Sequence, residues 1–190
     1  MKILLLRHGE TTGDVEERYG GDYDDHLSEN GKKQSEELAL RLKDRGIQII
    51  YCSPRIRAIE SADIVNKVLN VKLETAEDMR ERNNYGVLTG MTKAEAKEKF
   101  PDEVRKLASG DVNHNVAESE DYGHFKERIL KSFEKLTDSG EYEGVAIMTH
   151  GGPIKCILRE LLDVEPNEIP DCAVIELKKN GPMIFMIARN

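Results

Sequence analysis

The chain begins with the run ILLLRHGET at Ile3–Thr11, in which four apolar residues lead directly into arginine, histidine and glycine. A short apolar run of this kind is typical of a strand that is buried on both faces of a sheet. The run VAIMTHGG at Val145–Gly152 has the same order, with a histidine and glycines soon after the apolar residues. In open α/β sheets ligands bind at the carboxyl ends of strands, so these two runs predict a site that contains His8 and His150.

Helical and strand patterns alternate along the rest of the chain, which favours an α/β fold built in layers. Ser28 is a suitable N-cap for a helix that runs to about Arg45, and Asn180-Gly181 favours a tight hairpin turn. Further strands are predicted at Gln48–Tyr51, Ala173–Leu177 and Met183–Ile187, and further helices at 58–69, 92–100, 101–108, 122–136 and 154–162. No repeat or flexible linker interrupts this pattern, so we expect one domain over residues 1–190.

Composition and charge argue against several classes of function. The formal net charge of -8 and the lack of a basic block argue against nucleic-acid binding, which draws on clustered lysine and arginine. No apolar stretch is long enough to cross a bilayer, and the run at Ile3–Leu6 is too short for a signal peptide. Cys52, Cys156 and Cys172 lie far apart without paired spacing, which indicates reduced, buried thiols and a cytoplasmic protein.

Further candidate residues follow the predicted second strand and the region beyond it. Arg55 and Arg57 lie at a strand-to-helix junction, where arginine suits bidentate binding of phosphate. Glu81 stands between two arginines, where a surface ion pair is the alternative to a catalytic role. Each of these residues, taken alone, is also compatible with a structural or exposed position. Two histidines at matching strand ends, one of them beside Arg7, favour an anion-binding site instead.

Four motifs, taken in order, give the sequence a resemblance to a known family. They are Arg7-His8-Gly9-Glu10-Thr11, Ser53-x-x-x-Arg57-Ala58, Glu81 followed by Tyr85-Gly86-x-Leu88-x-Gly90, and His150-Gly151-Gly152. In these motifs, which span nearly the whole chain, the sequence resembles the histidine phosphatase superfamily, also known as the phosphoglycerate mutase-like family. One Arg-His-Gly triplet is a weak signal, whereas four motifs in the right order are highly specific.

The resemblance implies a fold and a mechanism. The fold is a three-layer α/β/α sandwich with a mainly parallel sheet, to which the predicted hairpin adds antiparallel strands. His8 would attack phosphorus and hold the phosphoryl group covalently, which requires a neutral ring favoured by neighbouring cations. Arg7, Arg57 and His150 would surround the phosphoryl oxygens, while Glu81 would protonate the leaving group and then activate water. No metal or other cofactor is expected, because arginine and histidine supply the positive charge.

The resemblance also implies residues that contact the substrate. They are Thr11, Asp14, Gly21, Tyr85, Lys93 and Gly151. Asp14 departs from the family, which usually has asparagine there, and it would turn away, stay protonated or bind a hydroxyl or amine of the substrate. One extra residue after Glu81, relative to the mutases, makes Glu10 the alternative acid. The remaining histidines match no catalytic position and are interpreted as structural or solvated: His26, His114 and His124.

Family members include mutases and phosphatases, and this sequence has features of each. Tyr85 and Lys93 match substrate contacts of the mutases. Against a mutase, Ala108 and Ser109 replace an arginine pair, Gly152 replaces asparagine, and little chain follows the predicted hairpin. Loss of two arginine clamps would weaken binding of a doubly anionic substrate by about 1.5–3 kcal/mol each. We therefore predict a phosphomonoesterase, with a bisphosphoglycerate-primed mutase and a catalytically silent phospholigand-binding module as alternatives.

The expected partner is a small soluble phosphate ester, with neither nucleic acid nor membrane involved. The polar stretch Arg82–Tyr122 resembles an insertion that covers the site and supplies walls of the pocket. The sequence leaves the physiological ester and the oligomeric state open.

Overall fold

The computed structural model describes residues 1–108, 116–138 and 140–189, apart from the side chain of Arg189. The strands are β1 (Lys2–Arg7), β2 (Ile49–Cys52), β3 (Lys72–Thr75), β4 (Gly144–Thr149), β5 (Val174–Asn180) and β6 (Met183–Arg189). The helices are α1 (Thr12–Val15), α2 (Glu29–Leu42), α3 (Ile56–Leu69), α4 (Lys93–Lys99), α5 (Pro101–Ala108), α6 (Tyr122–Thr137) and α7 (Gly151–Leu162). Two short 3₁₀ helices lie at Glu77–Met79 and Gly86–Leu88.

The six strands form one sheet in the order β3-β2-β4-β1-β5-β6. The first four strands in this order run parallel to one another, whereas β5 pairs antiparallel with both β1 and β6. Parallel neighbours need long crossover connections, and helices of the chain provide them. The prediction of a mainly parallel sheet with an antiparallel C-terminal hairpin is therefore confirmed.

Helices pack on both faces of the sheet, which gives the predicted three layers. Ile3 and Leu5 of β1 belong to a core cluster that includes residues of α6 and α7. Leu4 and Leu6 belong to a second cluster, which includes residues of α2 and α3. Burial of each such side chain contributes about 1.5–3 kcal/mol, and burial on both faces explains why the whole run is apolar.

The end of α2 and the edge strand β3 differ from the sequence prediction. α2 begins after the N-cap Ser28 as predicted but ends at Leu42 rather than at about Arg45. The chain turns toward β2 through Asp44 and Gly46, whose φ angles of 62° and 72° cannot continue a helix. β3 has no counterpart among the predicted elements, because its edge position leaves its four residues largely accessible and its sequence half polar.

The hairpin between β5 and β6 turns one residue later than the sequence predicts. Asn180 still pairs with Met183, so the turn consists of Gly181 and Pro182. Gly181 has a φ of 58°, while the proline ring restricts φ of Pro182 to negative values. This combination fits a type II′ turn rather than the turn expected for Asn-Gly.

Part of the stretch predicted as an insertion, Arg82–Tyr122, forms a small layer over an apolar cluster, and this part is here named the cap (residues 85–108). Its α4 and α5 enclose an apolar cluster that contains Leu88, Ala96 and Val116. Backbone hydrogen bonds attach the cap to the loop after α1: the Tyr19 N–H donates to Met91 and the Gly90 N–H donates to Tyr19. The cap is therefore fixed to the residues that follow β1.

The structure also bears on the predicted thiols and on the prediction that no segment crosses a membrane. Cys52, Cys156 and Cys172 are free and buried, as predicted, and burial raises the pKa of the Cys52 thiol to about 12. In the part of the chain that the structure describes, no helix has the length and apolar character needed to span a bilayer. Ser109 and His114, which also carry sequence predictions, lie outside the described residues.

Gly31, in the first turn of α2, lies against the loop that follows β1. A Cβ atom at this position would be 2.0 Å from the Glu10 carbonyl oxygen, so Gly31→Ala should force the helix and the loop apart. We expect a loss of about 1–3 kcal/mol in the free energy of unfolding from urea titrations, although alanine ordinarily stabilises a helix relative to glycine. Gly20→Ala, whose Cβ would meet nothing within 4 Å, is the control, and equal stability of both variants would contradict this prediction.

Candidate active site

Parallel pairing of β1 and β4 places the two predicted histidines side by side. Arg7 lies opposite Thr149 in the register, so His8 and His150 both follow directly at the same edge of the sheet. The His8 N–H donates to the Thr149 carbonyl oxygen at 3.2 Å. The two ring centroids are 5.0 Å apart, with an interplanar angle of 63° that sets one ring edge-on to the other.

His8 has one ring nitrogen that is free of a proton. Its Nδ1 donates to the Gly9 carbonyl oxygen at 2.7 Å, which assigns the proton to Nδ1 and the lone pair to Nε2. Burial, and then the Arg57 and Arg7 guanidiniums, hold the pKa of His8 well below its ordinary value of 6.5. The effect of the cations was predicted from the sequence, whereas burial, the larger cause of the lowered pKa, was not. The ring is therefore neutral at pH 7, the state in which Nε2 is a nucleophile.

Arg57, in the first turn of α3, directs its Nε at His8. The Nε–H donates to His8 Nε2 at 3.3 Å. Nη1 donates to the Asp25 carboxylate at 2.9 Å and to the Tyr23 carbonyl oxygen, and Nη2 donates to the Gly21 carbonyl oxygen at 2.9 Å. These bonds fix the far end of the guanidinium to the loop before α2.

Arg7, the last residue of β1, is fixed in a similar way by the segment before β5. Its Nη2 pairs with the Asp171 carboxylate at 3.0 Å, and its Nη1 donates to the Ile169 carbonyl oxygen. Its Nε is buried and has no hydrogen-bond partner among the described residues. Burial raises the pKa of Asp171, and the Arg7 charge opposes this shift.

His150 is fully buried and is bonded through one ring nitrogen. The Ser53 hydroxyl lies 2.7 Å from His150 Nε2 and also accepts from the Arg55 N–H at 3.4 Å. The hydroxyl satisfies both contacts when it accepts from Arg55 and donates to Nε2, and in this arrangement the ring proton lies on Nδ1. Burial, and then Arg57 and His8, hold the pKa of His150 well below 6.5. The neutral ring therefore has a spare donor, Nδ1.

Buried donors without partners are concentrated around the two histidines. Among the described residues, the buried side-chain nitrogen and oxygen atoms that lack a hydrogen bond are Arg7 Nε, Arg55 Nε, His150 Nδ1 and Ser119 Oγ. The three nitrogens belong to the histidine pair itself or to arginines whose charge acts on it. An unpaired buried donor costs about 1–3 kcal/mol, and an oxyanion would accept from all three.

The Glu81 carboxylate lies at the N-terminal end of α7, the helix that directly follows His150 in the chain. Its Oε2 accepts from the Gly152 N–H at 3.0 Å, and its Oε1 accepts from the Arg82 N–H at 2.8 Å. A Cβ atom on residue 152 would be 2.1 Å from Oε1, so this position of the carboxylate requires glycine there. The extra residue between Glu81 and Tyr85 therefore does not remove the carboxylate from the site.

The acidic residues that follow His8 take part in helix caps. Asp14 Oδ2 accepts from the Thr11 N–H at 3.0 Å and from the Thr11 hydroxyl at 2.9 Å, which forms a capping box for α1. The hydroxyl of Ser28, the N-cap of α2, donates to the Glu10 carboxylate. These contacts give Asp14 a local structural role that the sequence analysis did not include, and they favour Glu81 over Glu10 as the acid.

A pocket of about 610 Å³ connects these groups to the cap. The predicted site residues that line it are Arg7, His8, Thr11, Asp14, Gly21, Arg57, Glu81, Tyr85, Lys93 and Gly151, while His150 is buried in contact with His8. Arg82 and Tyr122, the ends of the stretch predicted to supply pocket walls, also line it, whereas four other lining residues were not predicted: Arg18, Tyr19, Lys155 and Arg159. They come from separate segments, and no motif links them in the sequence. The structure thus brings the predicted residues together, while their individual roles stay predictions.

Tyr85 and Lys93 are residues of the cap that line the pocket. The Tyr85 ring lies 5.1 Å from the Tyr19 ring and packs close to Gly21, which has a φ of 60°. Lys93 begins α4 and is exposed. Tyr85 is therefore a wall whose position depends on the loop before α2, whereas Lys93 is an accessible cation at the rim.

The remaining predicted side chains lie away from the pocket wall. Arg55 pairs with Asp22 through Nη2, and its Nε is one of the unpaired donors. His26 contacts Glu60 at 2.7 Å, and His124 is exposed, in agreement with structural or solvated roles. Within the described ranges, no group of three or more His, Cys, Asp or Glu residues could hold a metal ion.

The chain is similar to several known proteins. The model of the histidine phosphatase superfamily (branch 1) matches residues 3–180. The uncharacterized phosphatase PhoE of Bacillus subtilis is 27% identical over 164 residues, which cover 86% of this chain and 79% of that protein. The probable phosphoglycerate mutase GpmB of Escherichia coli is 26% identical over 162 residues, 85% of this chain and 75% of that protein. The alpha-ribazole phosphatase of Shigella flexneri shares the fold, with a TM-score of 0.87 at 18% identity, over 98% of this chain and 95% of that one.

The lowered pKa values of His8 and His150 predict rings that stay neutral at pH 6 in the folded protein. In the urea-unfolded chain both rings should take up a proton near pH 6.5, which imidazole ¹⁵N chemical shifts can follow. Because the unfolded chain then binds more protons, the free energy of unfolding should fall as the pH drops below 6.5, by up to about 1.4 kcal/mol per pH unit for each ring. A His8 ring that is protonated at pH 6.5 in the folded protein would contradict the prediction.

Proposed function

This chain belongs to the histidine phosphatase superfamily, and we propose that it is a phosphomonoesterase that hydrolyses a small soluble phosphate ester through a phosphohistidine on His8. The observation that carries the proposal is the neutral Nε2 of His8, which lies among donors without partners on Arg7 and His150. Similarity to the phosphatase PhoE supports hydrolysis as the reaction. The physiological ester is left open.

In the first step the His8 Nε2 lone pair attacks phosphorus, so that a P–N bond forms while the bond to the ester oxygen breaks. Arg7, Arg57 and His150 donate to the nonbridging oxygens, where charge is spread in the transition state. Asp171, Asp25 and the Ser53 hydroxyl hold these three side chains before substrate binds, which limits reorganisation during the reaction. Glu81, as the carboxylic acid, gives its proton to the departing oxygen, and an alcohol leaves.

In the second step Glu81, now a carboxylate, takes a proton from a water molecule whose oxygen attacks phosphorus. The P–N bond breaks, its electrons return to His8 Nε2, and inorganic phosphate forms. The Nδ1–H of His8 keeps its hydrogen bond to the Gly9 carbonyl oxygen. This bond stabilises the positive ring while it carries the phosphoryl group. Both side chains then have their starting protonation states.

The surroundings of the acid favour a phosphatase over a mutase. Residue 152 is asparagine in the mutase pattern, and in this chain the Glu81 carboxylate occupies the space that a side chain on Gly152 would need. Ala108, in place of one mutase arginine, ends α5 without a charge for a second anionic group. A bisphosphoglycerate-primed mutase stays the second candidate, because Tyr85 and Lys93 both line the pocket.

Neither a metal nor another cofactor is part of this proposal, because the guanidiniums supply the positive charge and the neutral His150 ring supplies a further donor. The pocket of about 610 Å³ suits a small ester as the partner. The three buried free thiols agree with a reducing compartment, and we propose the cytoplasm.

Hydrolysis of p-nitrophenyl phosphate in the presence of EDTA tests the function. We expect turnover between pH 5 and 7.5 and a loss of about 10³-fold or more in His8→Ala, because the nucleophile is removed. Rapid acid-free quenching with a ³²P-labelled ester should trap an alkali-stable, acid-labile phosphoprotein that is absent in His8→Ala. His124→Ala, which changes an exposed imidazole, is the matched control.

Two outcomes of this assay would reject the phosphatase. A wild-type protein that binds phosphate without turnover would be the silent module. With 3-phosphoglycerate and a bisphosphoglycerate primer, a phosphatase releases inorganic phosphate, whereas isomerisation faster than hydrolysis would establish the mutase.

Gly152→Ala tests the position of the acid. The new Cβ would lie 2.1 Å from Glu81 Oε1 and should displace the carboxylate, so we expect kcat to fall by about 10²-fold. Glu81→Gln should cause a similar loss, and Gly152→Ala should add little in the Glu81→Gln background. If Gly152→Ala lowers kcat by the same factor in the wild type and in the Glu81→Gln background, residue 152 does not act through Glu81.

A further inference from the structure

Asp25, in the loop between α1 and α2, is an acidic residue that neither the motifs nor the proposed mechanism uses. Its side chain is 4% exposed, and it pairs at 2.9 Å with Arg57, which is equally buried. Burial of a carboxylate is costly unless it is paired and hydrogen-bonded, so its position beside a phosphate-binding arginine requires a reason. No feature of the run GDYDDH at Gly21–His26 distinguishes it from the neighbouring Asp22 and Asp24.

The hydrogen bonds of Arg57 indicate what Asp25 does. A guanidinium has five N–H groups. The two Nη1 N–H groups donate to the Asp25 carboxylate and to the Tyr23 carbonyl oxygen. One Nη2 N–H group donates to the Gly21 carbonyl oxygen. The Nε–H, which donates to His8 Nε2, and one Nη2–H are left for a phosphoryl group. Asp25 supplies the single charged partner in this set, and charge-assisted bonds are about twice as strong as neutral ones.

The space for this carboxylate depends on a residue without a side chain. A Cβ atom on Gly13 in α1 would be 2.5 Å from Asp25 Oδ2. The backbone of α1 therefore closes one side of the carboxylate, and Arg57 closes another. Because Asp25 belongs to the loop between α1 and α2, its fit against Gly13 also sets where this loop passes Arg57.

We propose that Asp25 is a positioning residue, which holds the Arg57 guanidinium with its Nε toward His8, and that Gly13 provides the space for it. This inference rests on the proposed phosphatase function. Asp25 borders the pocket, and in this proposal its carboxylate acts through Arg57 and makes no direct contact with the substrate. Its removal therefore lowers kcat, while KM for a small ester changes little.

The first test compares two changes of Asp25 with a neighbouring control in p-nitrophenyl phosphate hydrolysis. Asp25→Asn keeps an acceptor oxygen but loses the charge, and kcat is expected to fall about 10-fold. Asp25→Ala frees one end of the guanidinium, and a loss of about 100-fold is expected. The control is Asp24→Asn, because Asp24 is exposed and accepts from the Ile56 N–H at 2.8 Å, a bond that an amide oxygen can keep. Equal activity of Asp25→Asn and the wild type overturns the proposal.

A double-mutant cycle separates positioning from a general structural effect. Asp25→Asn is measured in the wild type and in the Arg57→Ala background, and its effect on kcat should disappear when Arg57 is absent. The same fold-loss in both backgrounds overturns the proposal, because Asp25 would then act on something other than Arg57. Thermal unfolding of each variant verifies that the comparison is made on folded protein.

Gly13→Ala gives a second route that leaves Asp25 in place. The added methyl group should move the carboxylate and lower kcat about as much as Asp25→Asn, and it should be harmless in the Asp25→Ala background. A wild-type enzyme without turnover rejects the phosphatase and, with it, this inference. An active wild type whose Asp25 and Gly13 variants are equally active rejects only the inference.

Discussion

The in-register parallel pairing of β1 with β4 is the constraint on which the site depends. Because Arg7 lies opposite Thr149, the next residue of each strand is a histidine, and the two rings meet with centroids 5.0 Å apart. A slip of one residue would turn the strand's apolar side chains to the other face and separate the rings. The apolar cores on both faces of the sheet therefore fix the geometry of the candidate site as well as the fold.

Three arginines near the histidines share one arrangement. Arg7, Arg55 and Arg57 are each held at an Nη atom by an aspartate, and each has an Nε that is unpaired or directed at His8. The aspartates reduce repulsion among the three cations in the absence of substrate. They also fix the guanidiniums, so donors are oriented before charge develops on a transferred phosphoryl group. Neutral histidines fit this environment, because a second proton would add repulsion in a buried site.

The sequence was sufficient to predict the strands and helices that bear motifs. It was insufficient for elements whose presence or end is determined by tertiary packing. The apolar runs before His8 and His150 predict buried parallel strands, and the structure places both rings at one sheet edge. β3 lies at the edge of the sheet, and α2 ends early at a turn between two layers. Neither feature produces a hydrophobic periodicity in the sequence. Asp25 escaped prediction because its importance comes from Arg57, which is 32 residues away in the chain.

The start of α7 shows how one glycine can determine which anion occupies a helix N-terminus. Free N–H groups at such an end attract any nearby anion, including a phosphate group of the substrate. Here the Glu81 carboxylate accepts a hydrogen bond from the Gly152 N–H. A side chain on residue 152 would exclude the carboxylate from this position. In the proposed mechanism the substrate phosphoryl group is then directed to the arginines and His8, while the acid stays beside them. The glycine would thus separate the site of the proposed proton donor from the site of the phosphoryl group.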